Sequence, residues 1–113
     1  MTEEEGPRPR YKWRLTWPDE MKNHFIGFDG IYRVGMIHEH HQGYWLWFLH
    51  LGEGTNGPAL HPTSGTGDTA RLAAKAVEDC YDRQLKGTWP GMPEDIRQQA
   101  MALANRPGRQ RAE

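Results

Sequence analysis

Phe25 to Leu51, reading FIGFDGIYRVGMIHEHHQGYWLWFLHL, is the stretch that decides the fold. Aromatic and β-branched residues dominate it, and glycine dipeptides interrupt it at spacings that suit strands. Asp29-Gly30 separates Phe25-Ile26-Gly27-Phe28 from the run Ile31 to His38. That dipeptide suits a two-residue hairpin turn, because glycine tolerates positive φ. His40-His41-Gln42-Gly43 marks a second turn before the strand Tyr44 to Leu51. With Asp29-Gly30 and Gln42-Gly43 as two-residue turns, pairing places Phe25, Val34, Met36, Trp45, Trp47, Leu49 and Leu51 on one face. Ile26, Phe28, Ile31, Ile37, Leu46 and Phe48 fall on the other. Both faces are largely apolar, so each requires cover or binds a partner.

Upstream, Tyr11 to Trp17 places aromatic or apolar residues at every odd position, the period of an edge strand or an extended arm. Residues 1–10 carry charges and two prolines and read as a disordered arm. Downstream, Gly52 to Gly67 is a loop of Gly, Pro, Ser and Thr in which Ala59-Leu60-His61 offers a short fourth strand. Thr66-Gly67-Asp68-Thr69 supplies N-cap oxygens for a helix running to about Lys86, with Gly87 as its stop. Ala73, Ala76, Val77, Cys80 and Tyr81 form its buried stripe. Pro93-Glu94-Asp95 opens a second helix with a thinner stripe of Ile96, Ala100, Leu103 and Ala104. The expected fold is α+β: an antiparallel meander of three or four strands packed on one long helix, with a shorter C-terminal helix. Residues 11–105 form the single domain, and 106–113 a flexible basic tail.

Composition agrees with one small domain. The 113 residues carry 14 Lys+Arg against 15 Asp+Glu, a formal charge of -1, and 36% are hydrophobic. Five Trp, four Tyr and three Phe supply a core, since each buried aromatic removes roughly 150–250 Å² from water. The longest apolar run, Tyr44 to Leu49, is far short of the roughly 20 residues of a membrane-spanning helix. The acidic opening Met1 to Gly6 lacks the basic-then-apolar order of a signal peptide, so the expected location is cytoplasmic. Cys80 is the single cysteine and has no partner for an internal disulfide.

Four features bear on chemistry. His38, His40, His41 and His50 cluster around the second turn, and His38 and His40, two apart on a strand, share a face on which a metal could be chelated. No Cys or Asp joins them at ligand spacing, and the reading is polar turn residues, with no metal or cofactor. The basic aromatic arm is the second: Arg8, Arg10, Lys12 and Arg14 interleave with Tyr11, Trp13 and Trp17. Cations neutralise phosphates and aromatics stack on unpaired bases, so Arg8, Arg10, Lys12, Trp13 and Arg14 are candidates for single-stranded nucleic acid. The opposing reading is an edge strand with its odd residues buried and its cations solvated. Third, catalysis lacks a credible set. Cys80 lies on the buried stripe, Ser64 lacks the nucleophile-elbow glycines, and Glu78, Asp79 and Asp82 read as a solvated helix face. Fourth, Trp45 and Trp47 share a face and fit beneath the small helix residues Ala73, Ala76 and Val77. Alternatively Trp45, Trp47 and Phe48 anchor a protein interface.

Phe28-Asp29-Gly30, Tyr32-Arg33-Val34-Gly35, Tyr44 to Phe48, Pro62-Thr63-Ser64-Gly65 and Val77-Glu78-Asp79-Cys80-Tyr81 together resemble a group of small alphaproteobacterial proteins. These share a glycine-turn hairpin, a tryptophan-rich strand, a Thr-Ser-Gly loop and an alanine-rich helix. The resemblance spans roughly residues 25–85 and implies a bacterial source and this fold, with no activity and no functional residue attached. The expected function is a non-enzymatic module for protein interaction or self-association, with nucleic-acid binding through the arm as the alternative and no membrane partner.

Overall fold

The computed structural model describes residues 8–17, 21–50, 64–87 and 91–110. They form strands β1 (Lys12–Trp17), β2 (Met21–Asp29), β3 (Tyr32–Glu39), β4 (Trp45–Leu49) and β5 (Ser64–Gly67), then helices α1 (Ala70–Lys86) and α2 (Glu94–Ala104). The strands lie in chain order, each antiparallel to the next. The α+β meander is therefore present, with five strands in place of three or four. The arm contributes β1, and the Thr-Ser-Gly loop contributes β5. The strand expected at Ala59-Leu60-His61 lies outside the described residues.

Turn chemistry sets the register. Asp29 pairs with Tyr32, so the first turn is Gly30-Ile31, one residue later than expected. Gly30 takes φ 65, and among the described residues no non-glycine residue has positive φ; a positive φ at the first turn residue alone is the requirement of a type II′ hairpin. The second turn is longer than expected. His40 N donates to Tyr44 O at 2.7 Å and Gly43 N to His40 O at 2.8 Å. Gly43, at φ 103, closes a three-residue loop.

Between the turns, Phe28 pairs with Arg33 but Gly27 with Gly35, so Val34 is an extra residue in β3. Such a bulge resets the inside–outside alternation. Val34 and Ile37 both enter the core, at 0% and 2% exposure. Met36, paired with Ile26 and Phe48, turns to the opposite face. The simple alternation had placed Met36 with the tryptophans and Ile37 opposite them; the bulge exchanges the two.

The core lies between one sheet face and α1, where Val34, Ile37 and Trp47 pack with Ala73, Ala74, Val77, Cys80 and Tyr81. Small residues across from large rings make this possible. Trp13 pairs with Gly27, and Trp47 with Gly65. In each pair a Cβ on the glycine would lie within 2.8 Å of the indole, so the ring covers the neighbouring strand where a side chain would stand. Helix α1 begins and ends as expected: Thr69 Oγ1 accepts from Leu72 N at 3.1 Å, and Gly87 closes it at φ 69. Helix α2 packs on α1, with Ala100 fully buried and Ile96, Leu103 and Ala104 against the core. Both helices thus serve one side of the sheet.

Candidate functional site

Residues directly opposite in an antiparallel sheet share a face, so register lays out the side away from α1 in rows. Lys12, Phe28 and Arg33 make one row. Arg14, Ile26, Met36, Phe48 and Ser64 make the next. His24, His38, Leu46 and Thr66 make the third. Among the described residues, no helix packs on these rows.

Among the described strand residues, the charge on this face has one sign. Asp29 and Glu39, the carboxylates of the described strands, belong to rows of the helix side, opposite Tyr32 and Trp45. Lys12 and Arg14 are exposed, and the Arg14 guanidinium lies 5.9 Å from the centre of the Phe28 ring. A groove of about 460 Å³ opens here, lined by Lys12, Arg14, Phe28, Gly30, Ile31 and Gln110. Cation, ring and turn backbone therefore meet at one end of the open sheet surface, next to the apolar row of Ile26, Met36 and Phe48.

At the other end the histidines form a ladder. His24 and His38 stack at 5.4 Å and 7° between planes, and His38 and Phe48 at 5.8 Å and 11°. Thr16 Oγ1 sits 2.7 Å from His24 Nδ1. Burial pushes His24 below the usual imidazole range, and the neighbouring His38 adds to the effect. The partner of His38 is thus His24, a residue that sequence spacing did not single out. His40 sits beyond the end of β3, stacked on Tyr44 at 4.4 Å and beside His41 at 4.1 Å. Among the described residues, no three His, Cys, Asp or Glu side chains gather to hold a metal.

The basic arm is divided between the two faces. Trp13 points to the helix side, where its Nε1 donates to Glu78 at 3.0 Å. Arg10 pairs with Asp79 at 2.8 Å and Asp82 at 3.1 Å. Lys12 and Arg14 alone of the arm's described cations reach the open face by register. Arg8 is exposed ahead of β1. Trp47 is 6% exposed in the core, and Trp45 packs partly buried against Phe25, ring centres 6.1 Å apart. Of the three expected interface residues, Phe48 is the one on the open face.

The acidic face of α1 is a correction. Glu78 is 1% exposed and accepts from Arg10 N and Tyr11 N at 3.0 Å as well as from Trp13. Asp82 accepts from the Tyr11 hydroxyl at 2.5 Å. Burial would push the Asp79 carboxyl up, but hydrogen bonds from Lys75 and Arg10 outweigh it and hold Asp79 below the usual range. These carboxylates clamp the N-terminal segment where a solvated helix face was expected. Cys80 is buried as expected, and burial pushes its thiol up.

A second buried carboxylate ties down the other terminus. Asp29, fully buried, accepts from Tyr81 Oη at 2.7 Å, Arg109 Nε at 2.5 Å and Gln110 N at 2.7 Å. Burial first, then Asp29, pushes the Tyr81 phenol well above its usual value. Ile31 N donates to Gly108 O at 2.9 Å, and Gln110 Nε2 to Arg10 O at 2.8 Å. Residues 106–110, which composition reads as a basic tail, are thereby held against the β2–β3 turn, and Gln110 lines the groove. A smaller apolar cavity of about 210 Å³ lies under α1 among Pro9, Trp13, Phe25, Ile37, Ala70, Arg71 and Ala74. No helix among the described residues is long and apolar enough to cross a membrane. No protein-family model, curated protein or solved structure matches this chain.

Proposed function

We propose that this chain is a non-enzymatic binding module whose working surface is the open face of the sheet, and that its partner is anionic. Segregation of charge carries the reading. The whole chain is nearly balanced, with 14 cations against 15 carboxylates. Yet the open-face positions of the described strands hold Lys12, Arg14 and Arg33 and no carboxylate. Like charges brought together in a face-to-face dimer repel, which favours an oppositely charged partner over a second copy on this surface.

Retention on immobilised heparin tests the reading. The wild-type chain is retained at low salt and released as salt rises. Lys12→Glu with Arg14→Glu abolishes retention. Lys75→Glu with Lys86→Glu changes net charge equally but alters exposed helix positions, and leaves retention in place. Equal loss in both double variants would reduce the effect to net charge and sink the assignment of this face.

A further inference from the structure

We propose that the anionic partner is a single-stranded nucleic acid, anchored in the groove between β1 and the β2–β3 turn. This rests on the anion-binding reading of the sheet face and names its ligand. The groove combines what an unpaired nucleotide requires. Lys12 and Arg14 are exposed and form no ion pair with any described residue, so they can meet phosphates. The Phe28 ring stands on the neighbouring strand, at the position paired with Lys12 and 5.9 Å from the Arg14 guanidinium. Bases stack on aromatic rings and on guanidinium planes alike. At about 460 Å³ the groove lies in the size range of small-ligand sites.

Competing partners fit less well. A duplex keeps its base faces stacked inside and offers Phe28 nothing to stack on. An acidic peptide would satisfy Lys12 and Arg14 but, unlike a nucleic acid, does not set an aromatic base beside each of its charges for the Phe28–Arg14 platform. Beyond the groove, Ile26, Met36 and Phe48 continue the surface along β2 and across β3 and β4. A strand leaving the groove therefore crosses an apolar, carboxylate-free path. The His24–His38–Phe48 rings already stack on one another, so stacking on a base is assigned to Phe28.

The test is fluorescence anisotropy with a labelled mixed-sequence single strand of about 12 nucleotides, within the span of comparable single-domain binders. The same strand as a duplex, a polyphosphate of similar charge and poly-glutamate serve as competitors. The single strand is expected to bind at about 50 mM salt and to weaken steeply towards about 200 mM. Lys12→Glu with Arg14→Glu flattens the plot of log affinity against log salt by about 1.4, two phosphate contacts at roughly 0.7 each. Phe28→Ala weakens the single strand about 5- to 150-fold and leaves polyphosphate unchanged. Phe28→Leu preserves an apolar side chain of similar size and gives the same selective loss, which separates stacking from folding.

Equal competition by polyphosphate, with both Phe28 variants silent, would overturn the nucleic-acid assignment and leave the anionic face standing. Preference for poly-glutamate or for the duplex would overturn it in favour of that partner class. Binding to none of these polyanions would remove this inference and the anion-binding reading together.

Discussion

Glu78 receives three N–H groups from the N-terminal segment, two from backbone and one from an indole, at 1% exposure. Truncating it strands those donors away from water. Glu78→Ala is therefore expected to cost about 3 kcal/mol or more, lowering Tm by roughly 12 °C or more in a thermal melt. Glu78→Gln, which keeps one carbonyl acceptor, should fall between. A cost within about 0.5 kcal/mol, the range of ordinary surface substitutions, would contradict the clamp. His24 sets a pH dependence. Its folded-state pKa lies below the unfolded 6.5 because burial, and then His38, disfavour the charged ring. The unfolded chain therefore takes up this proton first, so stability is full above about pH 6.5 and is lost progressively as pH falls from there through the lower folded-state pKa. His50, held low by burial and by Arg33, acts in the same direction. Melts between pH 7.5 and pH 5.5 should show this decline, and His24→Gln should shallow it; a curve that keeps its slope in the variant would remove His24 as a contributor. The polar character of these residues was plain from the chain. The burial of Glu78 was not, because its partners lie 65 to 68 positions away.

Strands in this sheet are matched by ring and glycine. A methyl group on Gly65 meets the Trp47 indole at 2.8 Å, and one on Gly35 meets Phe48 O at 2.3 Å. The first obstacle is a side chain and the second is backbone. Gly65→Ala should displace Trp47 and change its near-ultraviolet circular dichroism, at a cost of about 1–3 kcal/mol. Gly35→Ala should cost more, because the carbonyl belongs to the paired strand β4. The reverse order in denaturant melts would refute the packing argument. The C-terminal segment makes a separate prediction. Arg109→Ala removes one of three donors to the buried Asp29 and loosens the strand-like contact of Gly108 with Ile31. Exchange of the Ile31 amide should accelerate about tenfold or more, the effect of about 1.4 kcal/mol on a local opening. The His40 amide, bonded to Tyr44 in the other turn, should not change. Strand and helix identity followed from alternation, caps and turn glycines. The exchange of Met36 and Ile37 did not, because one bulge residue, Val34, inverts the rest of β3, and the extra residue of the second turn restores the expected faces in β4.

At the scale of the molecule, the helix side of the sheet holds charges of both signs, while the open face, among the described strand residues, holds cations alone. The carboxylates of α1 bind Arg10 and Lys75, while Lys12 and Arg14 stay on the far surface. Screening of like charges follows ionic strength. Light scattering after size exclusion should therefore give a monomer at low salt. Any self-association through Ile26, Met36 and Phe48 should grow as salt rises; a dimer favoured by low salt would contradict this. The sequence alone was enough for the α+β class, for strands around Phe25 to Leu49, and for a helix from Thr69 to Gly87. These depend on side-chain period, capping oxygens and glycine φ, all of which act within a few neighbouring residues. Tertiary structure decided which apolar face the helices cover and that Phe28, Lys12 and Arg14 share a groove. It also decided that Asp29 and Glu78 bind the two chain ends. Those outcomes depend on strand register and on partners 52 to 81 positions apart, and no local pattern encodes contacts at that separation.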